Sequence, residues 1–116
     1  MPNTIADRNT GHTFKDYLKR AVNPMLILLF LSQRPMYAYE LEHKLAAYNY
    51  SGSIPYQVLE RLEKQGYVVR TTRTRSKENR VRQYYSITPS GLEHLHYLEQ
   101  EYDRLIAAIN LILASK

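Results

Sequence analysis

The sequence predicts a mainly α-helical (α+β) domain in which helices precede a two-stranded hairpin and one long helix closes the chain. Three observations predict this order. Apolar residues recur at helical spacing up to Gln65, the periodicity changes to that of strands between Tyr67 and Ile87, and the helical pattern returns after Pro89. With 116 residues, 44% of them hydrophobic, the chain fits one domain with a small core.

The N-terminal part is predicted to hold a tail and two helices. Residues 1–12 are polar and lack periodicity, which predicts a disordered N-terminal tail. Thr13 is expected to N-cap a short helix, with Asp16 at the position that completes a capping box. Asn23 and Pro24 suit the cap and the first position of a new helix. That helix is apolar nearly all round, so we expect it to be the central buried element.

The middle of the chain is predicted to form two more helices and a hairpin. The helices are expected from about Ala38 to Tyr48 and from Ser53 to Gln65, and Gly66 ends the second as a left-handed C-cap. Two runs with strand periodicity, Tyr67–Arg75 and Val81–Ile87, are separated by a short polar turn, which predicts a hairpin.

Two short helices joined by a tight loop and followed by a hairpin are the layout of a winged helix-turn-helix. In that layout the second helix of the pair can enter a major groove, and the two-stranded hairpin lies beside it as a wing. We therefore expect a winged helix-turn-helix DNA-binding domain over residues 13–88 and a C-terminal dimerisation helix over residues 89–116.

The positive charge of the chain is concentrated in the predicted wing. The formal net charge is +5, and the window from Arg70 to Arg82 contains six basic residues against one acidic residue, which also sums to +5. A local excess of this kind predicts contact with a polyanion, although a solvated hairpin without a partner has the same pattern. The predicted DNA contacts are Tyr39, Ser53, Tyr56, Gln57, Arg61 and Lys64 from the helices, and Arg73, Arg75, Lys77, Arg80 and Arg82 from the wing.

Two of these side chains suit the reading of bases. Gln57 can bond adenine with two hydrogen bonds, and Arg61 can do the same with guanine. For Arg61 and Lys64 the alternative is a surface ion pair with the neighbouring Glu60 or Glu63.

The final helix carries a second pattern, a seam of apolar residues. Thr88 and Pro89 suit its N-cap and first position, and it is expected to run to about Ala114. A helix of this size is about 39 Å long, more than a small domain can cover, so the seam predicts a two-fold dimer. The alternative is a helix that folds back onto its own bundle. The predicted interface residues, spaced alternately by three and four as in a coiled coil, are Leu95, Leu98, Tyr102, Leu105, Ile109 and Ile112.

Several segments of the chain resemble the PadR family of transcriptional regulators, in its short form with a single C-terminal helix. They are Leu26–Leu31, Pro35–Leu41, Ser51–Val68 and Arg82–Gly91. The third contains the run Tyr-x-x-Leu-x-Arg-Leu-Glu-x-x-Gly, and the fourth contains Tyr-Tyr-x-Ile-Thr-x-x-Gly. The chain departs from the family pattern at Ala38, where the family usually has Gly.

The resemblance implies a homodimeric winged-helix repressor on a palindromic operator, often one that releases DNA when a small molecule binds. In some members the molecule is a flat aromatic compound held between the subunits near the C-terminal helices. Tyr102, eleven residues after Gly91, matches an aromatic residue that stacks on such a compound. Packing in the dimer interface is the other interpretation of Tyr102.

Other classes of protein find little support in the sequence. There is no Cys, no pair of His residues with metal-ligand spacing and no glycine-rich phosphate loop, so we expect no metal, no cofactor and no enzyme activity. No apolar run approaches the length of a bilayer span, and no signal peptide is visible, which predicts a soluble, cytoplasmic protein. The alternatives to a DNA-binding regulator are a ligand or protein adaptor that does not bind DNA, and an RNA-binding module.

Overall fold

The computed structural model describes residues 13–48 and 55–116. The predictions for the tail at residues 1–12 and for Ser53 lie outside this part of the chain. The described residues form four helices and one three-stranded antiparallel sheet, the architecture of a winged helix. In chain order the elements are α1 (Phe14–Leu31), β1 (Met36–Tyr37), α2 (Ala38–Ala47), α3 (Pro55–Lys64), β2 (Val68–Arg75), β3 (Val81–Ile87) and α4 (Pro89–Ala114).

Helix α1 is continuous where the sequence predicts two helices. The capping box of Thr13 and Asp16 is present, and the helix then passes through Pro24 without a break. Asn23, expected to cap a second helix, is buried within the first. A proline inside a helix costs about 3 kcal/mol because it removes one hydrogen bond and crowds the preceding turn. The apolar face that follows Pro24 packs into the core, and tertiary packing of this kind outweighs a local penalty.

The core lies where α1, α2 and α3 meet the sheet and the start of α4. Ile27, Leu28, Leu41, Leu59 and Leu62 come from the three helices and are at most 1% exposed. The other buried members of this core are Leu31, Met36, Ala38, Val68, Tyr85 and Leu95. Gly66 ends α3 at φ +82°, which confirms the predicted left-handed cap.

The sheet contains a strand that the sequence analysis does not predict. Strand β1 is only two residues long and pairs with β3, where Met36 lies opposite Tyr85 and Tyr37 lies opposite Tyr84. A run of two residues is too short to show a strand periodicity, which is why this pairing requires the folded structure. It joins the start of α2 to the base of the wing, the hairpin Val68–Ile87 formed by β2 and β3.

The first turn of α4 is capped by Thr88, which also attaches it by two hydrogen bonds to Gly66 and Tyr67, directly before the wing. The Thr88 hydroxyl donates to the Gly66 carbonyl at 2.7 Å and accepts from the Gly91 amide at 3.0 Å. The Thr88 amide donates to the Tyr67 carbonyl at 3.0 Å. The Tyr67 ring stacks on His94 of α4, with the centroids 4.1 Å apart and the planes at 7°. The predicted N-cap at Thr88 is therefore present, and it also joins α4 to the residues directly before the wing.

The second half of α4 projects beyond the core. Leu95 is 5% exposed and belongs to the core of its own chain, so it is not available to a partner as the a/d spacing predicts. Leu98 is partly buried against that core, and every residue from Gln100 to Lys116 is exposed. The apolar seam that remains uncovered consists of Tyr102, Leu105, Ile109 and Ile112, with exposures of 48%, 58%, 42% and 66%.

Candidate nucleic-acid interface

Helix α3 turns one polar face outward. Its opposite face is anchored in the core by Leu59 and Leu62, whose burial sets the rotation of the helix. At about 100° per residue, the outward side chains fall within an arc of about 140°. The sequence-predicted contacts on this face, all exposed, are Tyr56, Gln57, Arg61 and Lys64.

A bulge in the wing brings the three arginines of β2 onto one face. Arg70 lies opposite Tyr85 and Arg73 lies opposite Gln83, so the two residues Thr71 and Thr72 stand opposite Tyr84 alone. Residues paired directly across an antiparallel sheet point to the same side, and a bulge changes the face of all residues beyond it. Without the bulge, Arg73 would point away from Arg70.

The bulge is held in place by a side chain of the neighbouring strand. The Gln83 amide donates to the Thr71 and Thr72 carbonyls at 3.4 Å and 3.3 Å. Beyond it, Arg75 lies opposite Val81 and therefore shares the face of Gln83. Arg70, Arg73 and Arg75 consequently point to the same side of the hairpin.

The tip of the wing is an ordered turn rather than a loose loop. Asn79 adopts φ 64°, a left-handed conformation that Asn tolerates well, and its amide donates to the Ser76 carbonyl at 2.9 Å. The Arg75 guanidinium donates to the Asn79 carbonyl at 3.1 Å. This turn exposes Lys77 and Arg80 at the end of the hairpin and confirms the predicted turn at Ser76–Asn79.

A cleft of about 530 Å³ separates the wing from the N-terminal ends of α2 and α3. It lies along β3 where the short strand β1 has already ended. Four of the predicted contacts line it: Tyr39, Tyr56, Arg80 and Arg82. The cleft therefore brings residues from three separate elements together. Its other lining residues are Tyr37, Ala38, Ser76, Glu78, Val81, Gln83 and Tyr85.

Arg82 is held over an aromatic ring that the sequence analysis does not assign to the interface. Its guanidinium carbon lies 4.9 Å from the centroid of the Tyr37 ring. Tyr37 in turn packs edge-on against Tyr84, with ring centroids 5.2 Å apart. Sequence analysis could not find this contact because it depends on the pairing of β1 with β3. That pairing sets Tyr37 beside Tyr84 in space although 47 positions separate them in the chain.

Arg34, directly before β1, is paired with an acidic residue of α2. Arg34 donates to the Glu40 carboxylate, and this hydrogen bond raises the pKa of the Arg34 guanidinium above its ordinary value. Tyr39, in the first turn of α2, is 58% exposed and packs edge-on against His43. Its hydroxyl is thus on the accessible side of α2, as the prediction of a phosphate contact requires.

The described part of the chain does not show the surface ion pairs of Arg61 and Lys64 with Glu60 or Glu63 that were the alternative to DNA contact. Glu63 pairs with Arg70 of β2 at 3.1 Å. Among residues 13–48 and 55–116, no ion pair involves Arg61, Lys64, Arg73, Lys77 or Arg80.

An RNA-binding surface would need exposed stacking platforms beside these charges. Tyr85 is 9% exposed and belongs to the core, and Tyr84 packs against Tyr37. Both rings therefore pack within the fold, which does not favour either of them as a stacking platform for RNA.

The part of the chain that holds the core, α3 and the wing matches a known protein family. The family model of PadR-like transcriptional regulators matches residues 27–97, which include the core, α3, the wing and the start of α4. The chain belongs to the PadR-like family of transcriptional regulators. Members of this family are regulators and not enzymes, which confirms the prediction that the chain is not an enzyme.

Solved structures of transcriptional regulators, two of them of the PadR family by name, are similar to this chain over most of their length. A PadR-like transcriptional regulator from Bacillus cereus is 30% identical with a TM-score of 0.72, and the match covers 84% of this chain and 96% of that one. A PadR family regulator from Eggerthella lenta is 27% identical with a TM-score of 0.74, covering 86% and 88%. A transcriptional regulator from Clostridium thermocellum is 26% identical with a TM-score of 0.71, covering 80% and 94%. No curated protein matches the chain.

Sites of two other kinds are absent from the described residues of the PadR-like chain. Within the described ranges, no helix is both long enough and apolar enough to cross a bilayer. In the same residues, no three acidic or histidine side chains group closely enough to hold a metal ion.

Proposed function

We propose that this PadR-like regulator is a cytoplasmic homodimer that binds a palindromic operator in double-stranded DNA and represses transcription. The observation that carries the proposal is the exposed polar face of α3 beside a basic wing, with a cleft between them that Tyr56 lines on one side and Arg80 and Arg82 line on the other. A helix of this kind fits a major groove, and the adjacent wing then meets the phosphates that border it.

The proposal of a dimer is supported by the uncovered seam of α4. Tyr102, Leu105, Ile109 and Ile112 continue the side of the helix that Leu98 turns toward the core, and all four are exposed. A second copy of the same helix covers such a seam in a two-fold arrangement. Two α3 helices about 34 Å apart would then address successive major grooves, which is the reason for a palindromic operator.

Selection of genomic fragments by the purified protein tests the proposal directly. We expect the bound fragments to share an inverted repeat whose half-sites lie about one helical turn apart, and to include promoters that the protein turns down in a reporter assay. Bound fragments without an inverted repeat would contradict the palindromic operator. A failure to select any duplex, even in dilute buffer, would favour the adaptor that does not bind DNA.

Removal of two wing charges is expected to change the salt dependence of DNA binding. The plot of log K against log salt concentration should lose about 0.9 of slope for each phosphate contact removed in the double variant R73A/R75A. The measurement is fluorescence anisotropy of a labelled duplex between about 50 and 200 mM salt. The double variant R104A/K116A removes the same charge from α4 and from the residue at position 116 beyond its end, and should keep the wild-type slope. Equal slopes for both double variants would remove the wing from the proposed interface.

We also propose that a small aromatic effector stacks on Tyr102 and that its binding releases the DNA. Its side chain is 48% exposed on the seam, where a flat compound between two subunits could stack on the ring. Thermal-shift screening of flat aromatic compounds tests this, with the Tyr102→Ala variant as the matched control. A compound that raises the melting temperature of the wild type alone and weakens DNA binding supports the effector site, and its absence leaves Tyr102 as an interface residue.

A further inference from the structure

We propose that the cleft between the wing and the N-terminal ends of α2 and α3 binds one backbone phosphate of the DNA, with Arg82 as its cationic ligand and Tyr37 as the residue that positions Arg82. This inference rests on the proposed function, because the phosphate belongs to the duplex. It distinguishes Arg82 from the other wing cations and gives a role to Tyr37, which sequence analysis does not assign to the interface.

Arg82 differs from the other cations of the wing in its surroundings. It is partly buried, whereas Arg73, Arg75, Lys77 and Arg80 are exposed. A long exposed side chain loses conformational freedom when it binds, and this loss weakens binding. Arg82 has lost part of that freedom before binding, because its guanidinium already rests over an aromatic ring.

The ring beneath Arg82 is itself held in place. The Tyr37 ring lies 4.9 Å from the guanidinium carbon of Arg82 and contacts Tyr84 edge-on at 5.2 Å. Tyr37 and Tyr84 are paired across β1 and β3, and Arg82 is two residues from Tyr84 on the same face of β3. The three side chains thus form one row, and the ring face attracts the cation without consuming its hydrogen-bond donors.

The chemistry of the cleft suits a phosphate. Arg80 and Arg82 contribute two guanidinium groups against the single carboxylate of Glu78, so the lining carries net positive charge. Tyr39 and Tyr56 contribute hydroxyl groups, which donate hydrogen bonds to phosphate oxygens. Guanidinium groups bind phosphate with short, charge-assisted hydrogen bonds.

The position of the cleft suits a phosphate better than a base. Of the outward-facing residues of α3, only Tyr56 in the first turn lines the cleft, whereas Gln57, Arg61 and Lys64 lie outside it. The backbones of the duplex border the major groove on both sides, so a helix seated in the groove has phosphates beside its ends. The contact is therefore expected to be independent of base sequence.

A double-mutant cycle tests whether Tyr37 acts through Arg82. The probe is a labelled duplex of about 30 base pairs of random sequence, since a phosphate contact requires no particular bases. Affinity and salt slope are measured for the wild type, Tyr37→Phe, Tyr37→Leu, Arg82→Ala and the double variant Y37L/R82A. Arg104→Ala is the control, because it removes one arginine from α4, where it pairs with Glu101.

We expect Arg82→Ala to weaken binding about tenfold and to lower the salt slope by about 0.9 per contact. Tyr37→Leu should weaken binding about threefold in the wild-type background, as loss of a cation–π contact implies, and Tyr37→Phe should restore most of the affinity. In the Arg82→Ala background, Tyr37→Leu should have no further effect. Arg104→Ala should bind as the wild type does.

Specific outcomes would overturn the inference. An unchanged salt slope in Arg82→Ala, or equal losses from Tyr37→Leu in both backgrounds, would show that Arg82 binds no phosphate or that Tyr37 does not act through it. If Tyr37→Leu fails to fold, as circular dichroism would reveal, Arg82→Ala and Tyr37→Phe still decide the question through their slopes. A wild type that binds no duplex would instead refute the proposed function.

Discussion

A Gly91→Ala variant is expected to lose about 2 kcal/mol or more of folding free energy. A Cβ atom at this position would lie 2.1 Å from the Tyr67 carbonyl oxygen and 2.7 Å from Cγ1 of Ile87. The oxygen is part of the backbone and already accepts from the Thr88 amide at 3.0 Å, so it cannot turn aside as a side chain would. Helix α4 must therefore move away from the wing, and overpacking of this kind costs about 1–3 kcal/mol.

Urea unfolding at one protein concentration measures this loss, since the stability of a dimer depends on concentration. Ser90→Ala is the matched control, because Ser90 lies in the same turn of α4 and is exposed. It should change stability by no more than about 0.5 kcal/mol. Gly66→Ala tests backbone strain alone, because a Cβ there meets no atom within 4 Å although φ is +82°. An unfolding midpoint of Gly91→Ala equal to that of Ser90→Ala would contradict the close contact of α4 with Tyr67.

A Leu105→Asp variant is expected to be monomeric. Leu105 is 58% exposed in the single chain, so the substitution should leave the fold of each subunit intact. In the proposed dimer the same position is covered, and each subunit would bury an unpaired carboxylate in an apolar seam. A charge buried without a partner costs several kcal/mol, so the dimer dissociation constant should rise at least about 100-fold.

Sedimentation velocity measures the oligomeric state against the 13.7 kDa of one chain. Ala107→Asp adds the same charge two residues further along, on the opposite side of the exposed half of α4, and should remain dimeric. A Leu105→Asp variant that stays dimeric at micromolar concentration would exclude the seam as the interface. The exposed apolar residues of α1, Phe14, Tyr17 and Leu18, would then be the next surface to test.

Loss of the dimer should also weaken operator binding. This effect separates dimerisation from the DNA contact made by each subunit. A monomer retains α3 and the wing but contacts one half-site instead of two. Leu105→Asp should therefore keep weak, salt-sensitive binding to any duplex and lose its preference for an inverted repeat. Ala107→Asp should retain both.

Local chemistry in the chain was sufficient to predict most of the elements. The capping box of Thr13 and Asp16, the left-handed Gly66 and the cap at Thr88 each depend on residues a few positions apart, and each is present as predicted. The bounds of β3 and α4, Val81–Ile87 and Pro89–Ala114, agree with the prediction for the same reason. The outward face of α3 also followed from the spacing of Leu59 and Leu62.

The failures of sequence reasoning occur where distant residues decide the outcome. Pro24 was expected to start a helix, yet burial of the apolar residues after it keeps α1 continuous. Leu95 fits the coiled-coil spacing as well as Leu105 does, but the core of the domain covers Leu95 and leaves Leu105 exposed. Spacing shows which residues share a face of a helix and does not show where along the helix the domain ends.

The sequence by itself determined the order of helices and strands, the concentration of positive charge in the wing and the outward face of α3, because caps, turns and periodicity act between near neighbours. Tertiary structure alone decided which face Arg70, Arg73 and Arg75 share, through the bulge that Gln83 holds, and which residues surround the cleft. Tertiary structure alone also decided the pairing of Tyr37 with Tyr84 and the placement of Arg82 over Tyr37. These features depend on contacts between residues far apart in the chain, and such contacts exist only once the core has brought the elements together.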